Sequence, residues 1–294
     1  MKRLLLAGVS ALALGATVPA MAGNIVLTGH DNDYHFNFGA NPGTLGPAGE
    51  ALTAELAFVR SGSSNASLPV LTFDAGAELT SAMNALGISY VNVNPSLGTN
   101  VTASLFDPTK YSAFVVASAT SCGGCDNTPT DIANVAAQSA AIASFFNAGG
   151  GILGLAGADD PNAYAYVPES ATNGGGSPPS TGYVQTAAGA ALGLPPVNGN
   201  TTHNFFDEPG TGGLSSAYVV TERLFDASTG TPETIALRGG TIICTGASCT
   251  ISTGVPEPPS LALLGSGLFA LAGVGLWRRR RRSEASELLT VPAV

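Results

Sequence analysis

Positive charge is nearly missing from most of this chain. Between Gly23 and Gly254, 17 acidic residues face only four basic ones, which are Arg60, Lys110, Arg223 and Arg238. A surface of this sign repels phosphate backbones, which argues against nucleic-acid binding. Cations and neutral ligands such as sugars are compatible with it. The length of this segment fits one large domain with a sizeable core.

The other basic residues lie at the two ends of the chain. At the N-terminus, Lys2 and Arg3 precede an apolar stretch over residues 4–16, and Ala20 and Ala22 form an A-x-A cleavage site. This order is typical of a secretory signal peptide, so residues 1–22 are predicted to be removed by signal peptidase. Residues 23–254 are then an ectodomain outside the cytoplasm.

The C-terminal end has three parts in a fixed order. Pro256, Glu257 and Pro258 precede an uncharged stretch over residues 260–277, and the arginines Arg278, Arg279, Arg280, Arg281 and Arg282 follow. As a helix, the uncharged stretch reaches about 27 Å, close to the thickness of a bilayer core. We expect a transmembrane helix with its arginines on the cytoplasmic side.

This order resembles the PEP-CTERM sorting tail of exported bacterial proteins, which a membrane transpeptidase called exosortase processes. The resemblance makes residues 255–282 a sorting signal and residues 283–294 a cytoplasmic trailer, longer than the family usually carries. It implies an intermediate anchored in the inner membrane, then release to the cell surface or extracellular matrix, where exopolysaccharide is a candidate partner. An ordinary single-span anchor is the alternative.

The ectodomain alternates between strand and helix patterns. Strands are predicted over residues 24–28, 69–73, 90–93, 113–119 and 151–156, and helices over residues 48–59, 78–86 and 130–148. A weak helix near residues 184–192, a strand over residues 217–221 and short strands around Ile235 and Ile243 follow. Such alternation predicts an α/β fold, with a parallel sheet covered by helices on both faces.

Four parts of the ectodomain carry a second resemblance. The strand at Phe114 and the glycine-rich run over residues 149–157, with His203 and residues 217–225, are similar to class I glutamine amidotransferase-like domains, above all the trehalose-utilisation (ThuA-like) branch. The resemblance implies a flavodoxin-like sheet and a nucleophile elbow that needs cysteine. The matching position is Ala156, or Ala158 on a shifted register. His203 and Glu222 alone cannot form an acyl-enzyme, so we expect no amidotransferase activity.

Ligands of open α/β sheets bind beyond the carboxyl ends of the strands. All three histidines and several carboxylates map to that edge, namely His30, Asp31, Asp33, His35, Asp74, Asp126, Asp159, Asp160 and His203, and Glu222 is a further ligand or metal candidate. Oxygen and imidazole ligands at Asp31, Asp33, His30 and His35 could bind a divalent cation. A polar turn whose aspartates cap backbone N–H groups would give the same pattern.

The cysteines form two local pairs, Cys122–Cys125 and Cys244–Cys249. An oxidising compartment favours two disulfides, the second of which closes a hairpin. A thiol-redox motif at Cys122–Cys125 and a zinc site shared by all four cysteines are alternatives.

Three functional classes follow from these patterns. The first is a non-catalytic surface or matrix protein that binds a small polar ligand or carbohydrate. The second is a metal-dependent envelope hydrolase that uses the residues at the sheet edge. The third is an envelope thiol-redox protein. The acidic composition, the alanine at the elbow and the sorting tail favour the first.

Overall fold

The computed structural model describes residues 22–37, 45–119, 126–157, 160, 162–167, 172–174, 179–200, 202–245 and 248–252. All of them belong to one compact unit, Ala20–Gly254. Residues 1–21 of the predicted signal peptide, Cys122, Cys125, the sorting signal and residues 260–277 lie outside the described residues. None of the helices within the described ranges is long and apolar enough to cross a membrane.

The described residues form strands and helices in alternation. The strands are β1 (Asn24–Thr28), β2 (Val70–Phe73), β3 (Tyr90–Val93), β4 (Ala113–Val116), β5 (Gly151–Gly154), β6 (Thr172–Gly174), β7 (Tyr183–Gln185), β8 (Asn204–Phe206), β9 (Val219–Leu224), β10 (Pro232–Arg238), β11 (Thr241–Thr245) and β12 (Ser248–Ser252). The helices are α1 (Asn32–Asn37), α2 (Pro47–Arg60), α3 (Glu78–Ala85), α4 (Pro129–Ala136), α5 (Ser139–Asn147) and α6 (Ala187–Leu192). Two short 3-10 helices, Gly98–Asn100 and Ala103–Leu105, lie between β3 and β4.

Eight strands form the main sheet, in the order β3-β2-β4-β5-β1-β10-β9-β7. The first five in this order are parallel, whereas β10, β9 and β7 extend the sheet by antiparallel pairing. The predicted α/β class and parallel sheet are therefore confirmed, with an antiparallel extension that the alternation did not show. A flavodoxin-like sheet has the order 2-1-3-4-5. Here β1, the first strand of the chain, occupies the place of the fifth.

Helices cover both faces of this sheet. On one face Leu52 and Leu56 of α2 pack with Val26 and Leu153 of the strands. On the other face the core is richer in aromatic residues, and Phe145 of α5 packs with Phe114 at a ring distance of 5.8 Å. The alternation of β1, with Ile25 and Leu27 towards one core and Val26 towards the other, is expected of a strand buried on both faces.

The predicted helix over residues 130–148 is wrong in its length, because the chain forms two helices. The first, α4, begins with a capping box between Thr128 and Asp131 and ends at Ala136, with Ala137 as its C-cap. Gln138 leaves the helical conformation, and its amide donates a hydrogen bond to the carbonyl oxygen of Val101 at 3.1 Å. Alanine-rich periodicity continues through this point, so the sequence pattern did not show the break.

Two further segments differ from expectation. The weak helix near residues 184–192 is the end of strand β7 followed by α6, which Thr186 caps by accepting the N–H of Gly189. Thr186 favours this break because a side-chain cap competes with continued helix. The polar stretch after β1 is largely helical, because Asn32–Asn37 forms α1.

The β11–β12 hairpin is closed by the predicted disulfide, Cys244–Cys249. It is held against α5 by Asn147, whose side chain donates to the carbonyl of Ile242 and accepts the N–H of the same residue. The hairpin therefore adds a small satellite layer to the aromatic core.

Candidate functional site

Strand pairing brings two separate parts of the chain to one edge of the sheet. Because β10 is antiparallel to β1, the end of β1 at Thr28 lies beside the start of β10 at Thr234. Glu222 of β9 pairs with Thr234 in turn. The stretch after β1 and the acidic residues of β9 and β10 therefore meet at the carboxyl edge of β1.

The residues that meet there form what we call the edge cluster. It consists of His30, Asp31, Asn32, Asp33, His35, Glu55, His203, Glu222 and Glu233. Seven of these side chains are buried, and only His35 and His203 retain substantial exposure, at 36% and 22%. Five carboxyl groups are thus withdrawn from water, and the two histidines form the accessible rim.

His30 and Glu222 form the centre of the cluster. Nε2 of His30 lies 3.2 Å from Oε2 of Glu222, and both side chains are buried. The ring of Tyr183 packs edge-on against His30 at 4.6 Å. Glu222 also accepts hydrogen bonds from the hydroxyl of Thr234, at 2.8 Å, and from the N–H of Val197. Glu222 is therefore anchored in position, whereas neither ring nitrogen of His30 has a well-oriented hydrogen bond in the described part of the chain.

Asp31 lies between the other two histidines. Its Oδ1 is 3.5 Å from Nε2 of His35, one helical turn later, and its Oδ2 is 3.3 Å from Nε2 of His203. His203 is placed by the backbone, because its N–H donates to the carbonyl of Gly29 at 2.6 Å. The structure therefore brings the late histidine of the sequence to the stretch that follows β1.

Asp33 joins α1 to the end of β4. It accepts hydrogen bonds from the hydroxyl of Ser118 at 2.6 Å and from the N–H of Ser118 at 3.0 Å. Burial raises the pKa of Asp33 to about 7, although these hydrogen bonds act in the opposite direction. These hydrogen bonds fix the start of α1 against the end of β4.

Glu55 is a member that sequence reasoning missed. It is buried on α2, and both carboxylate oxygens accept from the side-chain amide of Asn32, at 3.1 and 3.2 Å. Burial raises its pKa to about 8. A signal was present, because Glu55 lies at helical spacing from Leu52 and Val59 on the apolar face of the helix.

Sequence reasoning also missed Glu233, the member of the edge cluster whose carboxyl group has the poorest hydrogen bonding. It is fully buried, and burial raises its pKa to about 9. Neither carboxylate oxygen has a well-oriented hydrogen bond in the described part of the chain, although the hydroxyl of Thr202 lies close enough to oppose the rise in the pKa of Glu233. The neighbouring hydroxyl of Thr202 donates to the carbonyl of Asn204 instead, at 2.8 Å. Its signal in the sequence was a single acidic residue at the start of an apolar strand.

Other buried polar atoms near Glu233 also lack partners within the described residues. They are Nδ1 of His30, Oδ1 of Asn200 and Nδ2 of Asn204. Backbone pairing of His30 with Thr202 places them around the same short segment. Buried polar groups are normally hydrogen-bonded, so several unsatisfied ones in one place point to a missing partner such as water, an ion or a ligand.

Ala156, which the resemblance matches to the nucleophile elbow, adjoins this cluster. The N–H of Ala156 donates to the carbonyl of His30 at 3.1 Å, and its carbonyl accepts the N–H of Ala119. Ala158 and Asp159 lie outside the described residues. Asp160 accepts the N–H of Asn162 at 2.9 Å, which is the contact of a turn-capping aspartate.

A second acidic pair lies at the carboxyl ends of β2 and β4. Asp126 accepts the N–H groups of Ala77, Glu78 and Leu79, while Asp74 accepts those of Gly76 and Thr80. Burial and the neighbouring Asp126 raise the pKa of Asp74 to about 6. The N-terminus of α3 would otherwise attract an anionic ligand, and here the chain's own carboxylates occupy it.

Metal binding gains no support from this geometry. Among the residues that the structure describes, no group of three or more histidine, cysteine, aspartate or glutamate side chains is arranged to hold a metal ion. The edge cluster is a set of paired and partly unsatisfied groups instead.

The edge cluster therefore combines acid–base groups with hydrogen-bond acceptors but lacks the cysteine nucleophile that acyl transfer in the amidotransferase manner requires. Comparisons of the chain with family models, with curated proteins and with solved structures found no match.

Proposed function

We propose that this chain is an exported surface protein whose α/β domain binds a small neutral or cationic ligand at the edge cluster, without amidotransferase chemistry. The observation that carries the proposal is Glu233. A fully buried carboxyl group with two unsatisfied oxygens costs free energy in an empty protein, and a donor-rich ligand removes that cost.

The chemistry of the ligand follows from the atoms that lack partners. Because the pKa of Glu233 is raised to about 9, its carboxyl group is neutral at pH 7 and offers one acceptor and one donor. Oδ1 of Asn200 is a second acceptor, Nδ2 of Asn204 is a donor, and Nδ1 of His30 also lacks a partner within the described residues. Hydroxyl groups match donors and acceptors alike and ammonium groups match the acceptors, whereas phosphate and carboxylate groups would add acceptors to a cluster that already contains five buried carboxyl groups. A saccharide or a small amine is therefore the expected class.

The destination of the protein is proposed from the two ends of its sequence. The signal peptide supports export, and the order of Pro256–Glu257–Pro258, an uncharged stretch and Arg278–Arg282 supports exosortase processing and membrane anchoring before release. The degenerate amidotransferase-like ancestry of the domain is part of the same proposal.

A binding screen of the full chain in mild detergent tests the ligand class. Neutral mono- and disaccharides, glucosamine and spermidine are compared with phosphate and citrate by calorimetry and saturation-transfer NMR. We expect binding from the first group alone, and Glu233→Leu should weaken it by about 10-fold, because the hydrogen bonds of the carboxyl group are lost from a buried site. Glu50→Leu, on the exposed side of α2, is the matched control.

Two results would redirect the proposal. Binding of Ca²⁺, Mn²⁺ or Zn²⁺ that disappears in Asp31→Ala would favour the metal-dependent hydrolase. Binding of the anions alone, or of no compound in the screen, would remove the edge cluster as a site for this ligand class. Mass analysis of the protein from its native membrane tests sorting separately, since processing should leave a C-terminus near Val255–Pro258.

A further inference from the structure

The two outermost strands of the main sheet, β7 and β3, differ in whether other parts of the chain cover their free backbone groups. On β7, the side chain of Asn198 accepts the N–H groups of Gly182 and Tyr183 and donates to the carbonyl of Tyr183, at 2.9, 3.1 and 2.9 Å. This side chain acts as a substitute strand and closes the edge. The strand at the other side, β3, has no such cover within the described residues.

Backbone alternation identifies the free groups of β3. The carbonyls of Ser89 and Val93 accept the N–H groups of Val70 and Asp74 on β2, so the groups of Val91 also face β2. The N–H and C=O groups of Tyr90 and Asn92 therefore point outwards. Among the described residues, these four groups have no hydrogen-bond partner.

The side chains leave this edge accessible and uncharged. Asn92 folds back onto its own sheet, because its amide donates to the carbonyl of Asp74 and its oxygen accepts from Thr72. Val91 is 42% exposed and Leu97, just beyond the strand, is 62% exposed. Residues 79–106 contain no Asp, Glu, Lys, Arg or His. None of the usual protections of an edge strand, such as lysine, proline or a bulge, occurs within β3.

We propose that β3 is a self-association edge, at which two copies of this chain pair in antiparallel fashion. A second copy is the partner because the outward N–H and C=O groups of Tyr90 and Asn92 can pair with the same groups of another β3. The uncharged stretch over residues 79–106 is also where two acidic copies repel each other least. A two-fold axis also makes the edge complementary to itself.

The register of the pair follows from the free groups. With the two-fold axis at Val91, Tyr90 of each copy faces Asn92 of the other, and each facing pair exchanges two hydrogen bonds. The two Val91 residues face each other in the non-hydrogen-bonded position, where Cα atoms lie about 4.5 Å apart. This places the exposed valine side chains in contact and continues the sheet across both copies.

Sedimentation of the full chain in density-matched detergent tests the proposal, at concentrations from about 1 µM to about 1 mM, because a four-residue edge gives a weak interface. We expect a dimer whose dissociation constant rises at least about 10-fold in Val91→Lys, since like charges then face each other on the axis. Ile243→Lys, a change at a 50% exposed residue of the hairpin, should leave it unchanged. Circular dichroism of both variants confirms that the fold is intact.

Cross-linking tests the register. Val91→Cys should form an intermolecular disulfide under mild oxidation, because the facing Cα atoms lie within disulfide range, whereas Ile243→Cys should not. A chain that stays monomeric across the whole concentration range overturns the proposal. So does a dimer that Val91→Lys leaves intact, or one that Val91→Cys fails to cross-link.

Discussion

Replacement of Glu55 by glutamine should change how the stability of the protein depends on pH. Glu55 is buried on α2, and burial raises its pKa to about 8, whereas a glutamate in the unfolded chain titrates near 4.5. Between these values the unfolded chain is ionised and the folded chain is not, so folding takes up a proton. The folded state is therefore not destabilised by Glu55 below about pH 4.5, and the free energy of unfolding falls as pH rises towards 8.

The size of the effect follows from the linkage relation. One carboxyl group of this kind lowers the free energy of unfolding by about 1.4 kcal/mol per pH unit, or about 3 kcal/mol from pH 5 to pH 7. Asp33 and Glu233 contribute in the same direction, because burial raises their pKa values to about 7 and about 9. The protein should therefore be more stable in mild acid than at pH 8.

Chemical denaturation at pH 5, 6, 7 and 8 measures this dependence. Glu55→Gln imitates the neutral carboxyl group. The free energy of unfolding of this variant should therefore depend less steeply on pH, by the slope that one titrating proton produces. The variant should also be more stable than the natural chain at pH 8. Glu50→Gln changes the same residue type on the exposed side of α2, and its curve should follow the natural chain. Equal slopes for Glu55→Gln and the natural chain would refute the reasoning.

Three further predictions concern local structure. Removal of the hairpin disulfide in Cys244→Ser/Cys249→Ser should lower the free energy of unfolding by about 2 kcal/mol, measured by denaturation, because the closed loop is short; an unchanged midpoint would contradict it. Thr128→Ala should cost about 1 kcal/mol through loss of the capping box on α4, whereas Thr130→Ala, on the exposed first turn, should cost less. Alkylation without reduction should modify no cysteine if Cys122 and Cys125 are also paired, and labelling of that pair would favour a redox role.

Much of the fold could be predicted because its strands are short apolar runs between clear turn signals. The bounds predicted for β1 and β3 match the structure, and those of β2, β4 and β5 differ by one to three residues at one end. The order of the strands in the sheet could not be predicted in the same way. Nothing in the residues of β1 shows that it joins β5 rather than β2, since buried strands of a parallel sheet have interchangeable apolar patterns.

The candidate site was predictable only where its residues are close in sequence or of a rare type. The stretch from His30 to His35 and the late His203 were identified because the chain has three histidines. Glu55 and Glu233 were not, because each is one acidic residue among many, and its burial depends on which helix or strand covers it. The hydrogen bond from Asn32 to Glu55 joins two elements whose contact the sequence does not show.

The location of the site follows from the way the sheet is built. In an open sheet the crevice between β2 and β4, where the strand order reverses, is the expected ligand position. Here the N-terminus of α3 lies at that crevice, and Asp126 supplies the carboxylate that a helix N-terminus attracts. The free N–H groups at the crevice therefore already have a partner within the chain. The antiparallel strand β10 leaves a site that lacks hydrogen bonds. It places Glu233 at the edge beside β1, where no described side chain makes a well-oriented hydrogen bond to its carboxyl group. The unsatisfied polar groups therefore lie beyond β1 and β10, and this displacement from the usual crevice is why we place the ligand at the edge cluster.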